Sequence, residues 1–126
     1  MPTPIERINR ILDPLKAQRT HPGKFSLDKM RTLLARLGNP QKRIPPAIHV
    51  AGTNGKGSTV AFMRAVLEAS GRSVHVYTSP HLVRFNERFR IAGKLVSDEA
   101  LAAVLQECEQ ANGGAPITVF EIETAA

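Results

Sequence analysis

Residues Ile48–Met63 read IHVAGTNGKGSTVAFM. The apolar run AIHVA, 47–51, carries two β-branched residues and suits a buried strand. Gly52, Gly55 and Gly57 follow, a spacing that lets the backbone turn tightly and aim N–H groups inward. Lys56 offers a mobile ammonium, and Ser58 and Thr59 place hydroxyls where a helix begins and its dipole favours an anion. The usual phosphate-loop spelling, G-x-x-x-x-G-K-[ST], fails twice. Val50 stands where its first glycine belongs, and Gly57 follows Lys56 where a hydroxyl belongs. A plain glycine turn is the alternative. The lysine, with a strand before it and a helix after it, favours a phosphate cradle.

Working outward, Val60, Met63, Val66 and Leu67 predict a helix from about Ser58 to Ser70, stopped by Gly71. SVHVYT, 73–78, reads as a second strand. Strand, loop, helix and strand over 47–78 make a unit of βαβ size, which predicts an α/β fold with a mainly parallel sheet flanked by helices.

Upstream, Ile5, Ile8, Leu12 and Leu15 predict a helix over 4–19, with Asp13-Pro14 breaking or restarting it. RTHPGKF, 19–25, reads as a loop. Ser26 is placed to cap a helix whose stripe is Leu27, Met30, Leu33, Leu34 and Leu37, ended by Gly38. NPQKRIPP then reads as a connection. Downstream, Phe89, Ile91 and the Ala-Gly-Lys turn predict a short strand or hairpin. Ser97 is placed to cap a helix to about Ala111, with Asp98 and Glu99 in its first turn. NGGAP breaks that helix. ITVFEIETAA starts with strand propensity and ends with helix-like composition. Residues 1–46 read as a helical segment and linker, and 47–126 as the first part of an α/β domain that carries the phosphate cradle. Two or three sheet strands rarely complete such a domain, so the chain is expected to be part of a longer protein.

The chain has 126 residues and 42% hydrophobic content, ordinary for a globular protein, with no apolar run of bilayer length. MPTPIERINR has no apolar signal core, which predicts a cytoplasmic protein. Cys108 is the only cysteine and falls on a helical face with Leu101, Val104 and Leu105, where it reads as core. Lys plus Arg number 17 against 11 acids, a net +6 that favours anionic partners. The basic residues are scattered and aromatics are few, so nucleic acid is not expected to be the partner. No histidine has a second histidine or carboxylate at zinc spacing. His49 and His75 read as packed or satisfied in strands, and His21 as a loop residue.

Three motifs in order, HVAGTNGKGST, YTSPHLVRFNERFRI and ITVFEIETAA, resemble the folylpolyglutamate synthase and dihydrofolate synthase family, within the Mur ligase superfamily of ATP-dependent amide ligases. The resemblance covers nearly all of this chain but only about the first third of a typical member. It implies a P-loop NTPase-like ATP-binding domain. It also implies an enzyme that uses ATP and Mg2+ to phosphorylate the carboxylate of dihydropteroate or a reduced folate, which the amine of L-glutamate then attacks. The partners implied are small molecules, with no nucleic acid or membrane, and a monomer when intact.

By the same resemblance, Thr53, Asn54, Gly55, Lys56, Gly57 and Ser58 belong to the ATP loop, with Lys56 stabilising charge on the transferring phosphoryl group. Ser79 in TSPH matches a magnesium-holding serine, and Ser58 sits near phosphate or its metal. Outside the family, Ser79 reads as a turn residue before Pro80. His81 is a structural loop histidine or a base. Thr118, Val119, Phe120 and Glu121 match a segment at the pterin end of the substrate. The competing reading makes Phe120 core and Glu121 a helix cap. Lys24, Phe25, Ser26 and Leu27 align with a second pterin-side segment, where members carry Gly-Leu and this chain has Ser-Leu. Glu87 and Arg88 keep the family's Glu-Arg, which a surface ion pair also explains. The later metal carboxylate, histidine ligand, modified lysine and C-terminal domain of the family are absent from these residues, so the chain alone is expected to be inactive. Rival readings are another Mur-type ligase acting on a UDP-linked cell-wall precursor, and a non-catalytic nucleotide-binding module. A basic nucleic-acid binder rests on +6 alone.

Overall fold

The computed structural model describes residues 1–16 and 27–126. Lys24, Phe25 and Ser26, with His21 and the rest of the expected loop, lie outside the described residues.

Helix α1, Pro4–Lys16, opens on a reciprocal cap. Thr3 N–H donates to Glu6 Oε2 at 2.8 Å, and Glu6 N–H donates to Thr3 Oγ1 at 3.2 Å. Pro4 fills the first helical position, where a missing N–H costs nothing. Asp13-Pro14 does not break the helix. Pro14 lies in the last turn, where its missing N–H removes one bond close to where the ladder ends anyway.

Helix α2, Asp28–Arg36, has no side-chain cap at Leu27. It ends as expected at Gly38, whose φ of +83° requires glycine. There Gly38 N–H donates to Ala35 O and Asn39 N–H to Leu34 O. Pro40–Arg43 forms one 3-10 turn. Helix α3 is Lys56–Ala69, starting two residues before the expected Ser58. Its end repeats the glycine device at Gly71, φ +86°. Helix α4, Asp98–Asn112, carries Asp98 and Glu99 in its first turn as expected, and α5 is Val119–Ala125.

The strands are short: β1 Val76–Tyr77, β2 Phe89–Ile91 and β3 Lys94–Leu95. All pairing among the described residues is antiparallel, in the order β1-β2-β3, with Val76 opposite Arg90 and Arg90 opposite Leu95. The expected parallel sheet is therefore not what these residues build. The Ala92-Gly93 turn, with φ of +49° and +84°, folds β3 back on β2, and β1 joins β2's other edge. The expected first strand, 47–51, is assigned no strand, and Ile48 is 63% exposed. Among the described residues no neighbouring strand completes a ladder with it.

By packing the chain forms two units, Met1–Pro45 with Asp98–Ala126, and Pro46–Ser97. Residues 98–126, expected to continue the segment that starts at 47, pack with the N-terminal helices. In that first unit α1, α2 and α5 pack on α4. Its core is Ile8, Ile11, Leu12, Leu33, Leu101, Ala102, Leu105, Cys108, Ile117 and Ile122. Cys108 is core as expected, and burial pushes its thiol up to about 11, helped by nearby Glu107, so it stays protonated at neutral pH. Arg36 of α2 closes the end of α4, donating Nη1–H to Asn112 O at 2.9 Å and Ala111 O at 3.3 Å, where the helix dipole favours a cation. Arg7 of α1 donates to Gln106 of α4.

The start of α5 settles one expectation. ITV is not a strand. Thr118 is the N-cap, its Oγ1 accepting from Glu121 N–H at 3.2 Å while Glu121 Oε1 accepts from Thr118 N–H at 3.1 Å and Oγ1–H at 2.8 Å. Thr118→Ala is expected to cost about 1 kcal/mol, the usual worth of such a cap, measured by denaturant unfolding.

Candidate functional site

The site residues of the second unit begin with the glycine loop. Gly55 is the N-cap of α3 with φ +73°, and Gly52 has φ +153°, two conformations that L side chains rarely adopt. A glycine cap has no side chain to fold back on the helix, and no side-chain cap bond is present. Thr59 N–H is the first to bond within the helix, donating to Gly55 O at 2.9 Å. The N–H groups of Lys56, Gly57 and Ser58 therefore stand at the helix end without an intrahelical acceptor. The first turn holds no acid, and Lys56 sits at its first position. Alone, a cation there opposes the helix dipole. With an anion bound, ammonium and N–H groups act together.

Gly57, where the common spelling has a hydroxyl residue, is not held to glycine by its surroundings. It lies within the helix, and a Cβ there would meet nothing within 4 Å. Thr59 corrects one expectation. Its hydroxyl donates to Gly55 O at 2.8 Å, so it ties the turn together instead of facing outward. Thr53, Asn54, Lys56 and Ser58 are exposed. The side chains of Lys56, Ser58 and Ser79 hold no hydrogen bond or ion pair with another described residue.

Ser79 follows β1, one residue past Thr78, and is exposed. The next residues, 79–84, have no regular structure, and the 3-10 turn Phe85–Arg88 closes them. The Glu-Arg pair in that turn is not a surface ion pair. Glu87 takes three backbone N–H groups: Leu82 at 3.0 Å on Oε1, Val83 at 3.1 Å and Arg84 at 2.7 Å, both on Oε2. Arg88 donates Nε–H to His81 Nδ1 at 2.8 Å and lies 5.2 Å over the Phe85 ring. His81 meets Phe85 edge-on, Phe85 meets Phe89 likewise, and Phe89 stacks on Tyr77. These contacts agree with a structural place for His81. His75, expected to be packed or satisfied, is exposed and accepts Ala92 N–H at 2.9 Å. His49 is exposed, not packed.

The Arg84 N–H, then that of Leu82, holds the Glu87 carboxyl below its ordinary 4.5, with Val83 N–H and the charge of His81 adding to the effect. Because the folded value is the lower one, the stabilisation is full above 4.5 and lost as pH falls through the lowered value. Protection of the 82–84 amides, corrected for intrinsic exchange, is expected to survive acidification past 4.5 and then collapse.

In the first unit, Phe120 is 59% exposed, so it is not core, while Glu121 serves the α5 cap. Val119 is half-buried and Leu27 exposed. Among the described residues no group of three His, Cys, Asp or Glu could hold a metal, and no helix is long and apolar enough to cross a membrane. The grip of Glu87 carried no sequence signal, since no capping pattern reaches back to residues 82 and 83. The two Thr-x-x-Glu caps did carry one.

A glycine-capped helix start with a lysine at its first position is compatible with anion binding. No family model matches the chain. It is 47% identical over 109 residues to the dihydrofolate synthase/folylpolyglutamate synthase of Bacillus subtilis strain 168, over 81% of this chain and 25% of that protein. Among solved structures it is similar to E. coli FolC in complex with DHPP and ADP, at 36% identity and a TM-score of 0.83, over 99% of this chain and 30% of that one. It is likewise similar to the bifunctional folylpolyglutamate synthase/dihydrofolate synthase of Yersinia pestis complexed with AMPPNP and Mn ion, at 33% identity and a TM-score of 0.79, over 99% and 30%. The chain belongs to the folylpolyglutamate synthase/dihydrofolate synthase family and matches the N-terminal region of its members. It spans about a quarter of the length of these curated relatives.

Proposed function

We propose that the loop 52–58 holds the polyphosphate of ATP, in the P-loop manner, within a ligase that adds L-glutamate to dihydropteroate or a folate. The observation that carries this is the start of α3, where a glycine cap leaves three N–H groups without an intrahelical acceptor beside the exposed Lys56. The relatives' complexes with ADP and AMPPNP support a nucleotide as that acceptor.

MgATP, when bound, supplies the phosphoryl group that converts the substrate carboxylate to an acyl phosphate, from which glutamate's amine displaces phosphate. The chain's own residues bind and orient. The N–H groups of Lys56, Gly57 and Ser58 fix phosphate oxygens, and the Lys56 ammonium offsets negative charge as it shifts. Ser58 and Ser79 contribute neutral hydroxyl oxygens of the hard kind that Mg2+ accepts. Mn in the Yersinia relative supports a divalent ion at such a site. These two serines bring no carboxylate, so the ion's charge falls to phosphate oxygens and to groups beyond the described ones. The exposed Phe120 ring is suited to cover a flat heterocycle, and Thr118, Val119 and Glu121 hold it at the head of α5. The work is placed in the cytoplasm.

Spanning a quarter of its relatives' length, the 126-residue chain by itself is not expected to turn over. Incubation with MgATP, L-glutamate and dihydropteroate or tetrahydrofolate should give no ADP above background, and turnover would contradict this. Calorimetry tests the function itself. AMPPNP with Mg2+ should bind, and dihydropteroate should bind where a UDP-linked cell-wall precursor does not. The reverse preference would move the assignment to another Mur-type ligase.

A further inference from the structure

The loop 79–84 poses a problem of order. It carries Ser79, has no regular structure, and exposes its apolar side chains, Leu82 at 93% and Val83 at 83%, so burial does not hold it. Polar groups do. Asn86 Nδ2–H donates to Val96 O at 3.0 Å, fixing the 3-10 turn beside the end of β3. Thr78 N–H donates to Arg88 O at 2.9 Å, fixing the base of the loop. From that anchored turn Arg88 holds His81, and Glu87 holds the N–H groups of three consecutive residues. A simple cap of the 3-10 turn would need only the Arg84 N–H. Reaching back to Val83 and Leu82, up to five residues upstream, does nothing for the turn and fixes the loop.

We propose that Glu87 is a positioning residue, whose carboxylate fixes the 79–84 loop through the N–H groups of Leu82, Val83 and Arg84 and thereby sets where the Ser79 hydroxyl stands for a divalent cation. The proposal rests on the reading of Ser79 as a cation ligand. Glu87 itself touches neither cation nor nucleotide. It replaces the apolar anchor that an exposed loop lacks, and its charge strengthens each N–H bond it takes.

The test compares wild type, Glu87→Gln, Glu87→Ala and Ser79→Ala in amide exchange and in AMPPNP binding with and without Mn2+. Exchange at Leu82, Val83 and Arg84 is expected to quicken about tenfold or more in both Glu87 variants, the scale of charged hydrogen bonds lost, with α3 amides unchanged. The gain in AMPPNP affinity that Mn2+ brings should fall about tenfold in Glu87→Ala and Ser79→Ala, while binding without Mn2+ stays within about twofold. A merely structural loss would lower both affinities together. Unchanged exchange at 82–84 overturns the proposal. So does a full Mn2+ gain in the Glu87 variants when Ser79→Ala has lost it. A full gain in Ser79→Ala refutes the cation reading instead, and faster exchange then retains only the loop-holding part. Glu87→Gln, equal in size, decides the matter if Glu87→Ala does not fold.

Discussion

Lys56→Ala is expected to weaken AMPPNP binding by roughly ten- to a hundredfold, the range of a charge-assisted hydrogen bond to phosphate. The same substitution is expected to leave the fold intact or slightly firmer. Lys56 is exposed at the first position of α3, where its charge opposes the helix dipole and costs about 0.3–1 kcal/mol in the free protein. Alanine removes that conflict and is the better helix former. A residue that mildly disfavours its own helix is explained by the ligand. Calorimetry and thermal unfolding on one preparation check both halves. Unchanged affinity contradicts the role given to Lys56, and a large loss of stability would mean that the binding defect was only unfolding.

Leu105→Ala is expected to cost about 2–5 kcal/mol, as for other fully buried leucines. Leu105 has no exposed surface and lies on α4, against which α1, α2 and α5 pack. Against a total stability of about 5–15 kcal/mol for a small domain, such a loss is severe. Denaturant unfolding followed by circular dichroism measures it. A cost under about 1 kcal/mol would mean that the α4 core is not packed as described.

Local signals were legible in the sequence. The Gly38 and Gly71 stops, the acidic start of α4, the buried Cys108 and the helix after the glycine loop each depend on a few neighbouring residues. The parts of the proposed cradle were also legible, although their spelling departs from the common one. What needed a distant partner was not. The run 47–51 has strand composition, but a strand exists only when another pairs with it, and no composition names that partner. Val76–Tyr77 pairs with Phe89–Ile91 antiparallel, a choice that follows from where the intervening loop returns the chain. Within that loop the three bonds to Glu87 come from backbone N–H groups and leave no mark on residue types. Pro14 misled because a proline's effect depends on how many turns follow it. ITV at 117–119 misled because β-branched composition was read ahead of the Thr118–Glu121 cap.

The start of α3 is proposed to receive a nucleotide's phosphates. Titrating the 15N-labelled chain with AMPPNP and Mg2+ and following its amide resonances tests this most directly. The amides of Gly55, Lys56, Gly57 and Ser58 are expected to shift together and saturate, and Lys56→Ala should move that saturation to roughly ten- to a hundredfold higher AMPPNP. Shifts confined to other residues, or saturation that leaves these four amides in place, would contradict the account.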